Sequence, residues 1–182
     1  MTAEENLYFV FDVESAGLYG EGFAVGWVVV DHQGNERERG YLGAPFDSVD
    51  CDLDVREWME QNVLPHLPDP NCKNTIQLRK EFWWAWLRWE EKGAIAVADV
   101  PYPVETSFLR DCVLDMGKHV AYLAPYPLLD VATALLASGK DPVGSYDRLP
   151  SEKPVHHPTA DSAHSARLLV VALRQTQQRK PL

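Results

Sequence analysis

Three strand-like segments within the first 42 residues, joined by short turns, constrain this chain more than any other feature. Leu7 to Phe11 is an apolar run closed by Asp12, and Gly17, Gly20 and Gly22 mark the turn that follows. Phe23 to Val30 is a second apolar run, Asp31 to Asn35 reads as a hairpin turn around Gly34, and a third strand includes Glu38 to Leu42. Strands joined this closely pair antiparallel, so the segments predict a meander. The period then changes. A helix starts near Asp52, with Val55, Trp58, Met59 and Val63 on one face, and Pro65 ends it. An amphipathic stretch runs from Asn74 to Lys92, with Gly93 as its stop. Ala94 to Ala98 reads as a short buried strand ending at Asp99. Pro103 to Met116 reads as a helix, Val120 to Leu123 as a second short strand, and Leu128 to Ala137 as a helix. Residues 140–155 hold three prolines and read as a mobile loop before a last helix over 158–177. The order βββααβαβαα predicts an α/β protein, a mixed sheet with helices packed on it.

A length of 182 residues suits one domain spanning 1–182, and 46% hydrophobic residues suffice for a packed core. No apolar run approaches the ~20 residues of a membrane span. No basic-then-apolar segment opens the chain. The expectation is a cytoplasmic protein. Cys51, Cys72 and Cys112 are odd in number and lack a Cys-x-x-Cys pair, which disfavours a disulfide framework or zinc site. The net charge of −10 argues against coating nucleic acid by bulk electrostatics, though not against nucleic acid as a substrate.

The acids carry the chemistry. Residues two apart in a strand project to the same face, so Asp12 and Glu14 point together at the end of the first strand. Like charges so placed repel unless a cation lies between them, and hard cations such as Mg²⁺ prefer carboxylate oxygens. Two solvated acids in a turn are the alternative. Asp161 falls in the first turn of the last helix, where the helix dipole alone would favour it. His156 lies five residues earlier, in the loop entering that helix. Asp99 ends a buried strand and Glu105 opens the next helix. Each can serve as a cap or reach a site at the sheet's edge. Asp130 reads as a cap.

Together these segments resemble the DEDDh exonucleases on the RNase H-like fold, over most of the chain. Asp12-Val13-Glu14 matches the family's first motif. His156, four residues and then Asp161 match its last motif, with Ala163 in the small-residue run. The middle motif has an Asp three residues before Phe-Leu. Here Glu105 precedes Phe108-Leu109, and Asp99 lies six residues earlier as the alternative ligand. Val63-Leu64-Pro65-His66-Leu67 and Ile76 to Phe82 look like the small stand-alone bacterial and phage exoribonucleases of that superfamily. The resemblance implies a five-stranded mixed sheet, a three-stranded antiparallel meander plus two parallel strands. It implies a 3′–5′ exonuclease releasing nucleoside 5′-monophosphates from a single-stranded 3′ end, RNA before DNA. It further implies two Mg²⁺ ions, or Mn²⁺, held by Asp12, Glu14, Asp161 and either Glu105 or Asp99, with His156 as general base. A small-nucleotide phosphohydrolase and a non-catalytic nucleic-acid-binding module on the same fold are the rival functions.

Four of the six tryptophans fall between Phe82 and Trp89. They read as core packing with the outer rings at a homodimer contact, or alternatively as a base-stacking surface. Arg79, Lys80, Arg88, Arg174, Arg179 and Lys180 read as solvated charges or phosphate contacts. Asp141, Asp147 and Glu152 read as ordinary loop acids.

Overall fold

A computed structural model describes residues 6–178. Arg179 and Lys180 lie outside the described residues. The strands β1 (Leu7–Ser15), β2 (Gly22–Asp31) and β3 (Glu36–Gly43) form the expected meander. Next come helices α1 (Leu53–Asn62) and α2 (Thr75–Glu90), strand β4 (Ala94–Ala98) and helix α3 (Val104–Met116). Strand β5 (Leu129–Asp130), helix α4 (Val131–Ala137) and helix α5 (Pro158–Gln178) close the chain. The sheet order is β3-β2-β1-β4-β5, with β4 parallel to β1 and β5 parallel to β4.

The alternation along β1 divides the core. Phe9, Phe11 and Val13 face one side, where they meet Phe82, Trp83 and Trp86 of α2 and Phe108 of α3. Tyr8 and Val10 face the other side, against Leu135 of α4 and Leu169 of α5. By the same two-residue period, Asp12 and Glu14 continue the Tyr8–Val10 row toward α5. Complete burial of Phe9, Phe82 and Trp83, among others, contributes about 1.5–3 kcal/mol per side chain. The Asn74 side chain caps α2 by accepting from the Gln77 backbone N–H at 2.9 Å.

The structure corrects several sequence expectations. Val120 to Leu123 is part of a 3₁₀ turn rather than a strand. The fifth strand is Leu129–Asp130, which the sequence reading merged into the following helix. A two-residue strand carries no period, and a four-residue apolar run fits a turn as well as a strand. Asp130 caps α4 as expected, accepting from the Ala132 N–H at 2.9 Å. Arg79 is not solvated. It is buried between Glu21 at 2.7 Å and Asp115 at 2.6 Å, tying the β1–β2 turn to α2 and α3. The tryptophan helix is mostly core: Trp83, Trp86 and Trp89 are buried, and only Trp84 of that cluster is exposed. It therefore offers no row of stacking rings. Among the described residues no helix is long and apolar enough to cross a membrane.

Candidate metal centre

The site forms where β1 ends against the first turn of α5. One carboxylate oxygen from each of Asp12, Glu14 and Asp161 lies within 4.8 Å of the other two. Two features of the sequence bring α5 this close. Gly26, opposite Asp12 in the β1–β2 ladder, has no side chain to hold the helix off. The hydroxyls of Ser162 and Thr159 then donate to the carbonyls of Gly26 and Gly40, each at 3.0 Å.

Glu105 and Asp99 lie outside this three-residue cluster but act on it electrostatically. Glu105, in the first turn of α3, is buried and accepts the Val13 backbone N–H at 3.3 Å. Asp99 is exposed at the end of β4. Burial, and then the charges of Glu105, Asp161, Glu14 and Asp99, hold the Asp12 carboxyl well above the ordinary range. Burial, with Asp161 and Glu105, pushes Glu14 up to about 7. Burial also raises Glu105 to about 7, against the opposing Val13 hydrogen bond. A cluster of carboxylates that resists ionisation, with all-oxygen donors, is the chemistry of a site for a hard divalent cation. The residues fit such an ion.

Other residues complete the surroundings. His156 has φ 60°, the left-handed region that non-glycine residues seldom enter. Its ring meets the Trp58 ring edge-on at 5.4 Å. Trp58 in turn lines a cleft of about 520 Å³ together with Glu14, Leu18, Val55 and Met59. Sequence reasoning placed Trp58 on a helix face and passed over Leu18. It also missed Arg148, whose guanidinium donates to Asp161. Arg148 lies in a loop without periodicity, so no pattern marked it.

The loop leading to His156 is more firmly held than its prolines suggest. Glu152 is buried and accepts from the Leu149 N–H at 3.0 Å and from Arg167 Nε at 2.6 Å. It also pairs with His164 Nδ1 at 2.9 Å. These partners outweigh desolvation and lower its pKa to about 2.

The electrostatics predict an unusual pH response. Glu14 and Glu105 titrate near 7 when folded and near 4.5 when unfolded. Between those values the folded chain binds more protons, so its metal-free stability falls as pH rises from 4.5 through 7. The lowered pKa values of Asp31 and Glu152, about 2 each, act below that window. His157, whose pKa is lowered chiefly by burial, acts in the opposite sense. Melting in a chelator at pH 5, 6, 7 and 8 is expected to show falling stability. Glu14→Gln should flatten the curve and Mg²⁺ should reverse it. A metal-free stability that rises over this range in wild type and variant alike would contradict the electrostatics.

No family model matches the chain, and no curated protein matches it in sequence. The sheet and its flanking helices define the chain as α/β with an RNase H-like fold. The solved structure of S. pombe Pop2p in its Mg²⁺- and Mn²⁺-bound form is similar to it, with a TM-score of 0.59 at 10% identity. The match covers 92% of this chain and 82% of that one.

Proposed function

We propose that this chain is a divalent-metal-dependent 3′–5′ exonuclease acting on single-stranded nucleic acid. The carrying observation is the convergence of Asp12, Glu14 and Asp161 beside β1 on an RNase H-like sheet. The Mg²⁺ and Mn²⁺ named for Pop2p support the use of such ions. Asp12, Glu14, Asp161 and Glu105 would hold two Mg²⁺ ions, or Mn²⁺, which supply charge neutralisation at phosphate and a water acidic enough to attack. Glu105 is favoured over Asp99 because it is buried and oriented by the Val13 N–H, whereas Asp99 is exposed.

His156 takes the proton from the attacking water, a role suited to an imidazole near neutral pH. Its left-handed backbone, and its ring contact with Trp58, which lines the same cleft as Glu14, support that role. Leu18 and Trp58 offer apolar faces for the terminal base, where stacking contributes about 1–3 kcal/mol. The product is a nucleoside 5′-monophosphate. The resemblance to small stand-alone exoribonucleases makes RNA the expected polymer.

End-labelled RNA and DNA oligomers, each with Mg²⁺, Mn²⁺ or chelator, test this reading. Stepwise loss of 3′ mononucleotides only with metal is expected. Hydrolysis of free nucleotides but not oligomers would point to a phosphohydrolase, and binding without hydrolysis to a non-catalytic module. Glu105→Gln is expected to lower the rate by on the order of 10²-fold, as loss of one electrostatic contributor does. Asp99→Asn should stay within about threefold of wild type, the range for an exposed charge. The reverse order would make Asp99 the ligand.

A further inference from the structure

Five acids, Asp12, Glu14, Asp99, Glu105 and Asp161, act on one another around the end of β1. Among the described residues only one cationic side chain makes an ion pair with any of them: Arg148 Nη1, to Asp161 Oδ1. Both side chains are largely withdrawn from solvent, at 22% and 15% exposure, so the pair is poorly screened. Arg148 is tied to α5 through its own loop. It directly precedes the turn that Glu152 fastens to His164 and Arg167 of α5, the helix that carries Asp161. The same Nη1 also donates to the Glu152 carbonyl at 3.0 Å. A guanidinium leaving Asp161 therefore keeps a partner on its own turn.

A guanidinium and a divalent cation repel when they share a carboxylate at close range. We propose that Arg148 is the counter-cation of the metal-free site, a positioning residue that holds Asp161 until an incoming Mg²⁺ displaces it. The inference rests on the reading of Asp161 as a metal ligand. Cation binding is then partly an exchange of one positive group for another. The intrinsic affinity of the acids is reduced by the work of moving Arg148 aside.

The test is calorimetric titration of Mg²⁺ alone into substrate-free protein, with circular dichroism confirming that each variant is folded. Arg148→Gln is expected to bind Mg²⁺ on the order of tenfold more tightly, from the loss of one poorly screened charge. Arg148→Lys keeps the charge and should stay within about twofold of wild type. In wild type the Arg148 Nε–H resonance, assigned by its absence from Arg148→Gln, should shift on adding Mg²⁺. Equal or weaker binding by Arg148→Gln, an equal gain in Arg148→Lys, or an unmoved resonance at saturating Mg²⁺ overturns the proposal while leaving the metal site intact. Absence of Mg²⁺ binding by wild type would instead overturn the functional reading beneath it.

Discussion

Asp12→Asn is expected to slow metal-dependent hydrolysis by orders of magnitude while making the metal-free protein more stable. The two effects have one cause. Burial and four neighbouring acids penalise the charged form of Asp12, so at neutral pH the wild-type fold either carries an unfavourable charge or binds a proton to avoid it. Asparagine keeps the shape and removes the charge. It also turns one of the three carboxylates whose oxygens converge within 4.8 Å into a neutral amide, a weaker donor to a hard cation. The rate should fall by on the order of 10³-fold, the upper range for losing one preorganised electrostatic group. In chelator at pH 8 the variant should melt higher than wild type, at about 2–4 °C per kcal/mol for a chain of this size. Mg²⁺ should then raise its melting temperature less than it raises that of wild type. Such an exchange of stability for activity is characteristic of functional sites. A variant that is both stabilised and fully active would place the chemistry elsewhere on the molecule. A destabilised variant would mean that Asp12 has a structural role that its environment does not suggest.

Local pattern made much of the fold legible. β1, β2 and β3 are long, apolar and punctuated by glycine turns, so their antiparallel order follows from the sequence. α2 and α5 are long enough to show a helical period. β5 was not legible, because two residues paired to the end of β4 owe their conformation to the neighbouring strand. Asp12 and Glu14 could be paired from strand geometry alone. Asp161 needed the resemblance, since an acid in a helix's first turn is ordinary. Long-range charge pairing was hidden altogether. Arg79 looked like a surface residue because its partners, Glu21 and Asp115, are 58 and 36 residues away. Arg148 and Glu152 sat in a proline-rich stretch whose composition suggests mobility, whereas four hydrogen-bonding contacts fasten Glu152 alone. Composition reports what a loop can do by itself, and these loop residues act through α5.

Gly26→Ala is expected to damage the site without touching an acid. A Cβ built on Gly26 would lie 2.2 Å from the Thr159 nitrogen and 2.4 Å from the Pro158 carbonyl carbon. Both are backbone atoms of the first turn of α5, so no side-chain rotation relieves the clash and the helix must move off the sheet. Asp161 moves with it, away from Asp12, the residue paired with Gly26 in the ladder. Overpacking of this kind costs about 1–3 kcal/mol. A displacement near 1 Å at a reacting group costs on the order of 10²-fold in rate. Weaker Mg²⁺ binding, measured by calorimetry on the substrate-free protein, should accompany both. Ser162→Ala provides the comparison. It removes the 3.0 Å hydrogen bond to the Gly26 carbonyl but leaves the helix free to sit close. It should therefore lose about 1 kcal/mol of stability and retain Mg²⁺ affinity. If Gly26→Ala unfolds at a lower temperature yet matches wild type in Mg²⁺ binding and in the oligonucleotide assay, the close seating of α5 is not what sets Asp161 in place. If Ser162→Ala loses Mg²⁺ affinity as fully as Gly26→Ala, the hydrogen bond rather than the missing Cβ holds the two halves of the centre together.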